Sequence, residues 1–154
     1  MSADDLLSRL RHQLDAVPAL LAGVAEDGLR ARSPSGKWSA RENLAHIARY
    51  HDVFSARVRR ILEEHEPIVE PYRAENDSSW PSWASLDIDG VRERLRGRRA
   101  ALVAQLEALA PDDFERVGVH GTFGRLTLAT WVEFFLVHEA HHLYVAMRRA
   151  RGLD

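Results

Sequence analysis

Four stretches of the chain place apolar residues at alternating spacings of three and four, which is the repeat of one face of an α-helix. The first stretch runs from Leu6 to Val24, and the fourth runs from about Thr127 to Arg149. Alternating patterns typical of strands are almost absent. A chain of 154 residues is long enough to bury one substantial core. We therefore predict an all-α fold, an antiparallel four-helix bundle that forms a single domain over residues 1–154.

Local signals indicate where the first two helices begin and end. Pro18 should kink or divide the first helix, because it lacks a backbone donor and clashes with the preceding turn. Ser39 and Glu42 have the spacing of a capping box, in which each side chain satisfies a backbone N–H of the first turn. The second helix should therefore begin after Ser39, and we expect it to end near Glu64.

A long connection, residues 66–86, joins the second and third helices, and connections of this length are often functional. Its tryptophans, Trp80 and Trp83, either pin it to the bundle or line the mouth of a pocket. The third helix should begin near 87–89 and end at Pro111. Its stretch RERLRGRR is interpreted as a solvated surface, with a dimer contact or an anion site as alternatives. Before the fourth helix, GVHGTFGRLT predicts a turn or a short hairpin.

Composition excludes several classes of function. The chain has no cysteine, which removes disulfides, thiolate zinc ligands and a cysteine nucleophile. Its formal net charge of -2 provides no general attraction for nucleic acid or for an anionic membrane surface. No apolar run approaches the roughly 18 residues that a membrane span needs, and the first residues do not resemble a secretory signal. We expect a cytoplasmic protein without nucleic-acid or membrane partners.

The fourth helix contains the stretch FFLVHEAHHLY, which has three histidines in five positions. His138 and His142 are four residues apart, so their side chains start about 5–6 Å from each other on one helix face. Both lie on the apolar stripe, where two unpaired imidazoles would each cost desolvation energy. A shared metal ion would remove that cost. His141 points about 100° away from the pair. The pair therefore predicts a metal site, and such sites usually take a third protein ligand.

The third ligand has to come from an earlier part of the chain. The string HEAHH fits the zinc-protease pattern H-E-x-x-H, but the third ligand of that class lies downstream, and no His or Glu follows His142. We therefore reject the protease interpretation. His46 and His51, both on the second helix, are the best candidates, and their spacing alone leaves the choice open.

Two segments, GKWSARENLAHIARYHDVF and FGRLTLATWVEFFLVHEAHHLYVAMRRARG, share an ordered pattern with a known family. The pattern is a Trp-Ser, a Glu three residues on, a His four later, and a final-helix H-x-x-x-H before a Gly. It resembles the DinB-like metalloprotein family, which includes YfiT-like proteins, over roughly residues 34–55 and 121–152. The resemblance implies a four-helix bundle, often a dimer, with a divalent ion bound by three histidines. Transferred to this chain, these are His46, His138 and His142.

The resemblance also implies a cofactor and a range of activities. Family members are associated with nickel or zinc, and iron or cobalt would also suit nitrogen ligands. Some relatives use low-molecular-weight thiols. We therefore expect one divalent transition-metal ion and an enzyme that hydrolyses a small molecule or transfers a thiol to it. The alternative is a non-catalytic or stress-associated homodimer in which the metal, or a histidine network, is structural.

Two further residues are candidates for a catalytic role. Glu139 directly follows a predicted ligand and could act as a base or orient an imidazole ring; a solvated or salt-bridged glutamate is the alternative. Tyr50 lies one helical turn after His46 and could border the open coordination position, with plain packing as the alternative.

Overall fold

A computed structural model describes residues 3–154. In chain order the helices are α1 (Ala3–His12), α2 (Val17–Leu20), α3 (Glu26–Arg30), α4 (Ala40–Glu63), α5 (Trp80–Ala84), α6 (Ile88–Glu107) and α7 (Leu128–Ala150). The strands are β1 (Ile68–Val69), β2 (Val117–His120) and β3 (Gly124–Thr127). Short 3-10 segments occupy Gln13–Ala16, Ala74–Asn76 and Pro111–Glu115. Within residues 3–154, none of the helices combines the length and the hydropathy that crossing a membrane requires.

Helices α1, α4, α6 and α7 form the predicted four-helix bundle. Helix α4 packs against α6 and α7, and α1 packs against the same two helices. Helices α4 and α7 run antiparallel, because Asn43 contacts His142 whereas Phe54, further along α4, contacts Phe135. The prediction of an all-α bundle with a long connection between its second and third helices is confirmed.

Two pairs of neighbouring helices run parallel, so the bundle is not antiparallel throughout as we predicted. Helix α1 runs parallel to α7, since Arg9 pairs with Glu133 and Gln13, further along the chain, bonds to Glu139.

Helix α4 runs parallel to α6. Asp52 of α4 pairs with Arg98 of α6, and further along both helices Ser55 accepts a hydrogen bond from Gln105. Two consecutive parallel helices need a crossover that returns along the bundle. Helix α4 has 24 residues and is therefore about 36 Å long. The connection between α4 and α6 is long because it has to cover this distance.

A small sheet closes the end of the bundle where α4 and α6 both end. Strand β1 pairs in parallel with β2, and β2 pairs antiparallel with β3 in the predicted hairpin. The sequence did not predict β1, because two residues are too few to form a strand pattern. Gly118 of β2 lies so close to α4 that a Cβ there would come within 2.8 Å of Ile61. Only glycine allows this approach.

The ends of the helices agree with the local signals. Pro18 lies in the first turn of α2, where its missing N–H costs little, so the first helical stretch is divided rather than kinked. The capping box before α4 is present: Ser39 Oγ accepts from the backbone N–H of Glu42, and Glu42 Oε2 accepts from that of Ser39. Helix α4 ends at Glu63, one residue before the predicted end.

The arginine-rich stretch of α6 contributes a charge to the core. The prediction of a solvated surface is wrong for Arg99, which is buried. Its guanidinium donates hydrogen bonds to the Glu139 carboxylate, to His51 Nε2 and to the Leu10 carbonyl oxygen. Gln13 of the first 3-10 segment also donates to Glu139, at 2.8 Å. Helices α1, α4, α6 and α7 are therefore tied together by one buried polar network.

Candidate metal centre

Helices α4 and α7 bring three histidines together. One ring nitrogen each from His46, His138 and His142 lies within 4.8 Å of the other two. The Nε2 atoms of His46 and His138 are 3.3 Å apart. Two nitrogens bound 2.0–2.1 Å from one tetrahedral ion would be separated by about 3.3 Å. The spacing of this pair therefore suits a shared ion without movement of the backbone.

The competing candidate His51 lies outside the cluster, and so does His141, which was predicted to point away from it. His51 is buried, its Nδ1 donates to the Ile47 carbonyl oxygen at 2.8 Å, and its Nε2 accepts from Arg99 at 3.0 Å. Both of its ring nitrogens are used in the core network. His141 is exposed, and only the edge of its ring approaches His142. Of the two candidates that the spacing left open on α4, the structure places His46 in the cluster.

Different contacts orient the imidazole rings of His142 and His46. His142 Nδ1 lies 2.8 Å from Asn43 Oδ1, and the Asn43 amide donates to the Ser39 carbonyl oxygen at 2.8 Å. Asn43 therefore fixes the proton of His142 on Nδ1 and leaves the lone pair on Nε2. The His46 ring instead stacks against Tyr50 and Tyr72, with centroids 6.1 and 5.8 Å away. Its buried Nδ1 has no hydrogen-bond partner among the described residues.

Burial keeps the three imidazoles neutral. Loss of hydration, together with repulsion from His142 and His138, lowers the pKa of His46 to about 3. Loss of hydration and nearby basic groups lower the pKa of His138 to about 3 and that of His142 to about 4. A neutral imidazole has a lone pair that it can donate to a metal, so the cluster is ready to bind an ion at neutral pH.

A cavity of about 390 Å³ opens beside the cluster. This volume falls at the small end of the range for small-molecule sites. The three histidines line it together with Trp38, Tyr50, Arg57, Tyr72, His120 and Phe134. Aromatic rings therefore form much of its wall, and two arginines, the buried Arg57 and the exposed Arg73, also line it.

The structure places Tyr50, one of the two predicted catalytic residues, at the cavity. Its ring centroid is 4.2 Å from that of His138. Its hydroxyl oxygen accepts a hydrogen bond from Arg57 Nη1 at 2.6 Å. Burial raises the pKa of Tyr50, although Arg57 lowers it. The phenol therefore keeps its proton at neutral pH and can donate it to a molecule in the cavity.

The other predicted catalytic residue, Glu139, is not brought into the cavity. Its side chain is 1% exposed and belongs to the core network with Arg99 and Gln13. The salt-bridged glutamate that the sequence left as the alternative is what the geometry supports. A role for Glu139 as a base or as an orienter of a cluster ring finds no support in these contacts.

The connection between α4 and α6 forms one wall of the cavity as it returns along α4. Asp77 anchors this segment, because its carboxylate accepts hydrogen bonds from Arg49 Nε at 2.7 Å, from the Tyr72 hydroxyl at 2.9 Å and from Ser79. Although burial acts to raise it, these bonds hold the pKa of Asp77 well below its ordinary value of 3.8. Tyr72 is thereby fixed against His46.

The two tryptophans of the connection have different roles. Trp83 is 5% exposed and lies under Arg94, whose guanidinium carbon is 4.8 Å from the ring centroid. It pins the connection to the bundle, as one of the two interpretations predicted. Trp80 packs on Trp38, with centroids 4.8 Å apart, and its edge approaches His46. Trp80 therefore supports the wall of the site.

Asp77→Asn should destabilise the protein by about 2 kcal/mol at pH 7, because charge-assisted hydrogen bonds lose their charge. The depressed pKa stabilises the fold at pH values above the ordinary 3.8, and this contribution is lost as the pH falls through the folded-state value. The difference in urea midpoint between wild type and variant should therefore shrink below pH 4. An equal difference at pH 7 and pH 3 would contradict this role.

Sequence reasoning missed four residues of the site, namely Arg57, Asn43, Tyr72 and His120, and a clear signal was available only for Arg57. His46, Tyr50 and Arg57 follow an i, i+4, i+11 spacing and so lie on one face of α4. Arg57 was overlooked because it stands in the charged string ARVRR. Asn43 and Tyr72 had no such signal, since one acts through a hydrogen bond and the other comes from an irregular segment.

Fold and site together define a class: a helical bundle with a three-histidine cluster in the wall of a small cavity. The family model of the DinB superfamily matches residues 9–146. The chain therefore belongs to the DinB superfamily, as the sequence resemblance predicted.

Two solved structures have a similar fold. The structure of YfiT from Bacillus subtilis, described as "a probable metal-dependent hydrolase with an unusual four-helix bundle topology", superposes with a TM-score of 0.74 at 23% identity, over 99% of this chain and 89% of that one. The four-helix bundle protein TT2238 superposes with a TM-score of 0.68 at 24% identity, over 94% of this chain and 97% of that one. At these identities the likeness concerns the fold alone.

Among curated proteins, YuaE of Bacillus subtilis, which is uncharacterised, is 26% identical over 80% of this chain and 83% of its own length. A protein of Oceanobacillus iheyensis named "Putative metal-dependent hydrolase OB0782" is also 26% identical, over 86% of this chain and 78% of its own. A Geobacillus thermodenitrificans protein named "Putative metal-dependent hydrolase" is 24% identical, over 95% of this chain and 84% of its own length.

Proposed function

We propose that His46, His138 and His142 hold one divalent transition-metal ion and that the protein is a metal-dependent hydrolase acting on a small molecule. The observation that carries this proposal is the convergence of three neutral imidazoles on the wall of a cavity of about 390 Å³. The names of the Oceanobacillus and Geobacillus relatives support the choice of hydrolysis.

The residues present fit such an ion. All three donors are imidazole nitrogens, and a catalytic site of this kind typically has three protein ligands and one open position. Such a set suits zinc or nickel, and also iron or cobalt. When bound, a divalent ion polarises a substrate oxygen and activates water at neutral pH.

The residues around the cluster have complementary tasks. Tyr50 keeps its proton and is placed to donate it to a substrate oxygen or to a leaving group. His120 Nδ1 accepts hydrogen bonds from the backbone of Thr122 and Phe123, so its proton is on Nε2, which makes it a second donor on the cavity wall. Aromatic side chains such as Trp38 restrict access of bulk water to the cluster.

Two alternatives to hydrolysis use the same histidine cluster. Thiol transfer, with a low-molecular-weight thiol as second substrate, would use the same ion and would form a thioether rather than a hydrolysis product. A structural ion in a non-catalytic homodimer would need no open position and no substrate space. The cavity beside the histidines favours an enzyme. The homodimer remains a prediction, and sedimentation equilibrium tests it directly.

Metal-loaded protein should hydrolyse at least one member of a panel of small esters, amides, lactones and phosphoesters, with and without added thiol. His138→Ala should lose the activity, and Tyr50→Phe should lower kcat by about 100-fold, because a positioned proton donor contributes at this scale. His141→Ala is the matched control, since it changes an exposed histidine outside the cluster. Elemental analysis accompanies each assay. Metal-loaded protein that acts on no member of the panel, with or without thiol, would favour the structural alternative.

A further inference from the structure

We propose that Arg57 makes the cavity selective for small molecules that carry an anionic group, such as a carboxylate. The anionic group pairs with the Arg57 guanidinium while the reacting end of the molecule lies at the three histidines. This inference rests on the proposed function, because it assigns a substrate class to the same site.

Arg57 is positioned as part of the cavity wall. It is 8% exposed and lines the same cavity as His46 and His138. Its guanidinium carbon lies 5.4 Å from the ring centroid of Tyr50 and 5.9 Å from that of Trp131. Because Tyr50 also contacts His138, a single aromatic ring separates the cation from the histidine cluster.

The hydrogen bonds of Arg57 leave its charge uncompensated. Nη1 donates to the Tyr50 hydroxyl at 2.6 Å and Nη2 donates to the Glu70 carbonyl oxygen at 2.7 Å, and both acceptors are neutral. None of the ion pairs formed by residues 3–154 includes Arg57. The other buried arginine at the bundle centre, Arg99, by contrast has the Glu139 carboxylate.

A buried cation without a counter-ion is costly, and a guanidinium is charged at every physiological pH. Guanidinium groups have five N–H donors arranged for bidentate contact with a carboxylate or phosphate, and the two bonds described use only part of them. An anion in the cavity would supply the missing charge. The cost of burying Arg57 would then be offset by ligand binding rather than by folding.

Acidic residues near the cavity do not fill this role. Glu70 contributes its backbone oxygen to Arg57, whereas its side chain is exposed and interacts with Arg60. Glu75 also lines the cavity, but its side chain is exposed and forms no ion pair with Arg57. The cavity lining therefore combines the buried cation of Arg57 with neutral metal-ligand donors, whereas its other arginine, Arg73, is exposed.

A purely structural role for Arg57 is the competing explanation, since its bond to Glu70 holds the start of the connection. The two roles differ in what they predict for binding. A structural arginine affects charged and neutral ligands alike, whereas a recognition arginine affects only the charged member of a matched pair.

The test uses cobalt-loaded protein, because thiolates bound to cobalt are visible by absorption. Mercaptoacetate, 3-mercaptopropionate and 4-mercaptobutyrate are titrated beside the mercaptoalcohols of equal length, for wild type, Arg57→Met and Arg59→Met. Arg59 is an exposed arginine on the same helix, so its variant controls for net charge. In wild type and Arg59→Met, the best acid should bind about 10-fold or more tightly than its alcohol. In Arg57→Met this ratio should fall to near one with the affinity of the alcohol unchanged.

Equal affinities of acids and alcohols in wild type at every length would overturn the inference, whether or not Arg57→Met folds. An unchanged ratio in Arg57→Met would overturn it too. Failure of cobalt to bind would instead count against the proposed function. In that case 3-phenylpropionate and 3-phenylpropanol are compared on the metal-free protein by calorimetry, where a preference for the acid that Arg57→Met removes supports the recognition role and the absence of a preference refutes it.

Discussion

His46→Ala and His142→Ala should each abolish tight binding of the proposed metal ion. Each change removes one of three converging imidazoles, and two ligands do not close a transition-metal site. Loss of a residue that only hydrogen-bonds a ligand costs about 10–100-fold in affinity, so loss of a ligand should cost more than about 100-fold. Asn43→Ala removes the hydrogen-bond acceptor of His142 Nδ1, so it should lower metal affinity by about 10–100-fold. Competition with a chromophoric chelator measures all three.

His51→Ala and His141→Ala are the matched controls. Each removes an imidazole from the same two helices, but His51 is committed to Arg99 and His141 is exposed. Neither variant should change metal affinity by more than a few-fold. If His51→Ala abolished binding while His46→Ala left it intact, the assignment of the α4 ligand would be wrong.

Glu139→Leu should destabilise the protein by about 3–5 kcal/mol, because it leaves the Arg99 guanidinium buried without its carboxylate. For a chain of this size the melting temperature should fall by roughly 10–15 °C. Thermal and urea unfolding of the metal-free protein measure this effect without contributions from the ion. It is the largest stability change that we expect from a single side chain outside the apolar core.

The double variant Arg99→Met/Glu139→Leu separates the ion pair from simple packing. Replacing both charges by apolar groups of similar size is often nearly neutral, so the double variant should recover at least half of the loss. Its metal affinity should stay near that of wild type if Glu139 has only a structural role. A cost below about 1 kcal/mol for Glu139→Leu would show that the network is not a main source of stability.

The sequence predicted the parts of this molecule that depend on local periodicity. The spacing of His138 and His142 placed both on one face of α7, and the capping box located the start of α4. The choice between His46 and His51 could not be made from spacing, because the two lie only five residues apart on a helix that is buried on most of its surface. Contacts with α6 distinguish the two, because Arg99 of α6 donates a hydrogen bond to His51, whereas His46 lies with His138 and His142.

Other features depend on contacts between distant segments and were predicted in part or missed. The length of the 66–86 connection was evident, but its cause, the parallel pairing of α4 with α6, is a matter of topology. Arg99 was interpreted as part of a solvated stretch because six of eight residues in RERLRGRR are charged. Burial of one such residue depends on a carboxylate 40 positions away.

The central claim is that His46, His138 and His142 hold one ion, and anomalous diffraction from crystals of metal-loaded protein tests it most directly. Data collected on both sides of the absorption edge of the metal should give a single strong peak about 2.0–2.3 Å from one nitrogen of each imidazole. A peak bound by other residues would contradict the claim. So would crystals grown with saturating metal in which the three histidines bond only to each other and to water.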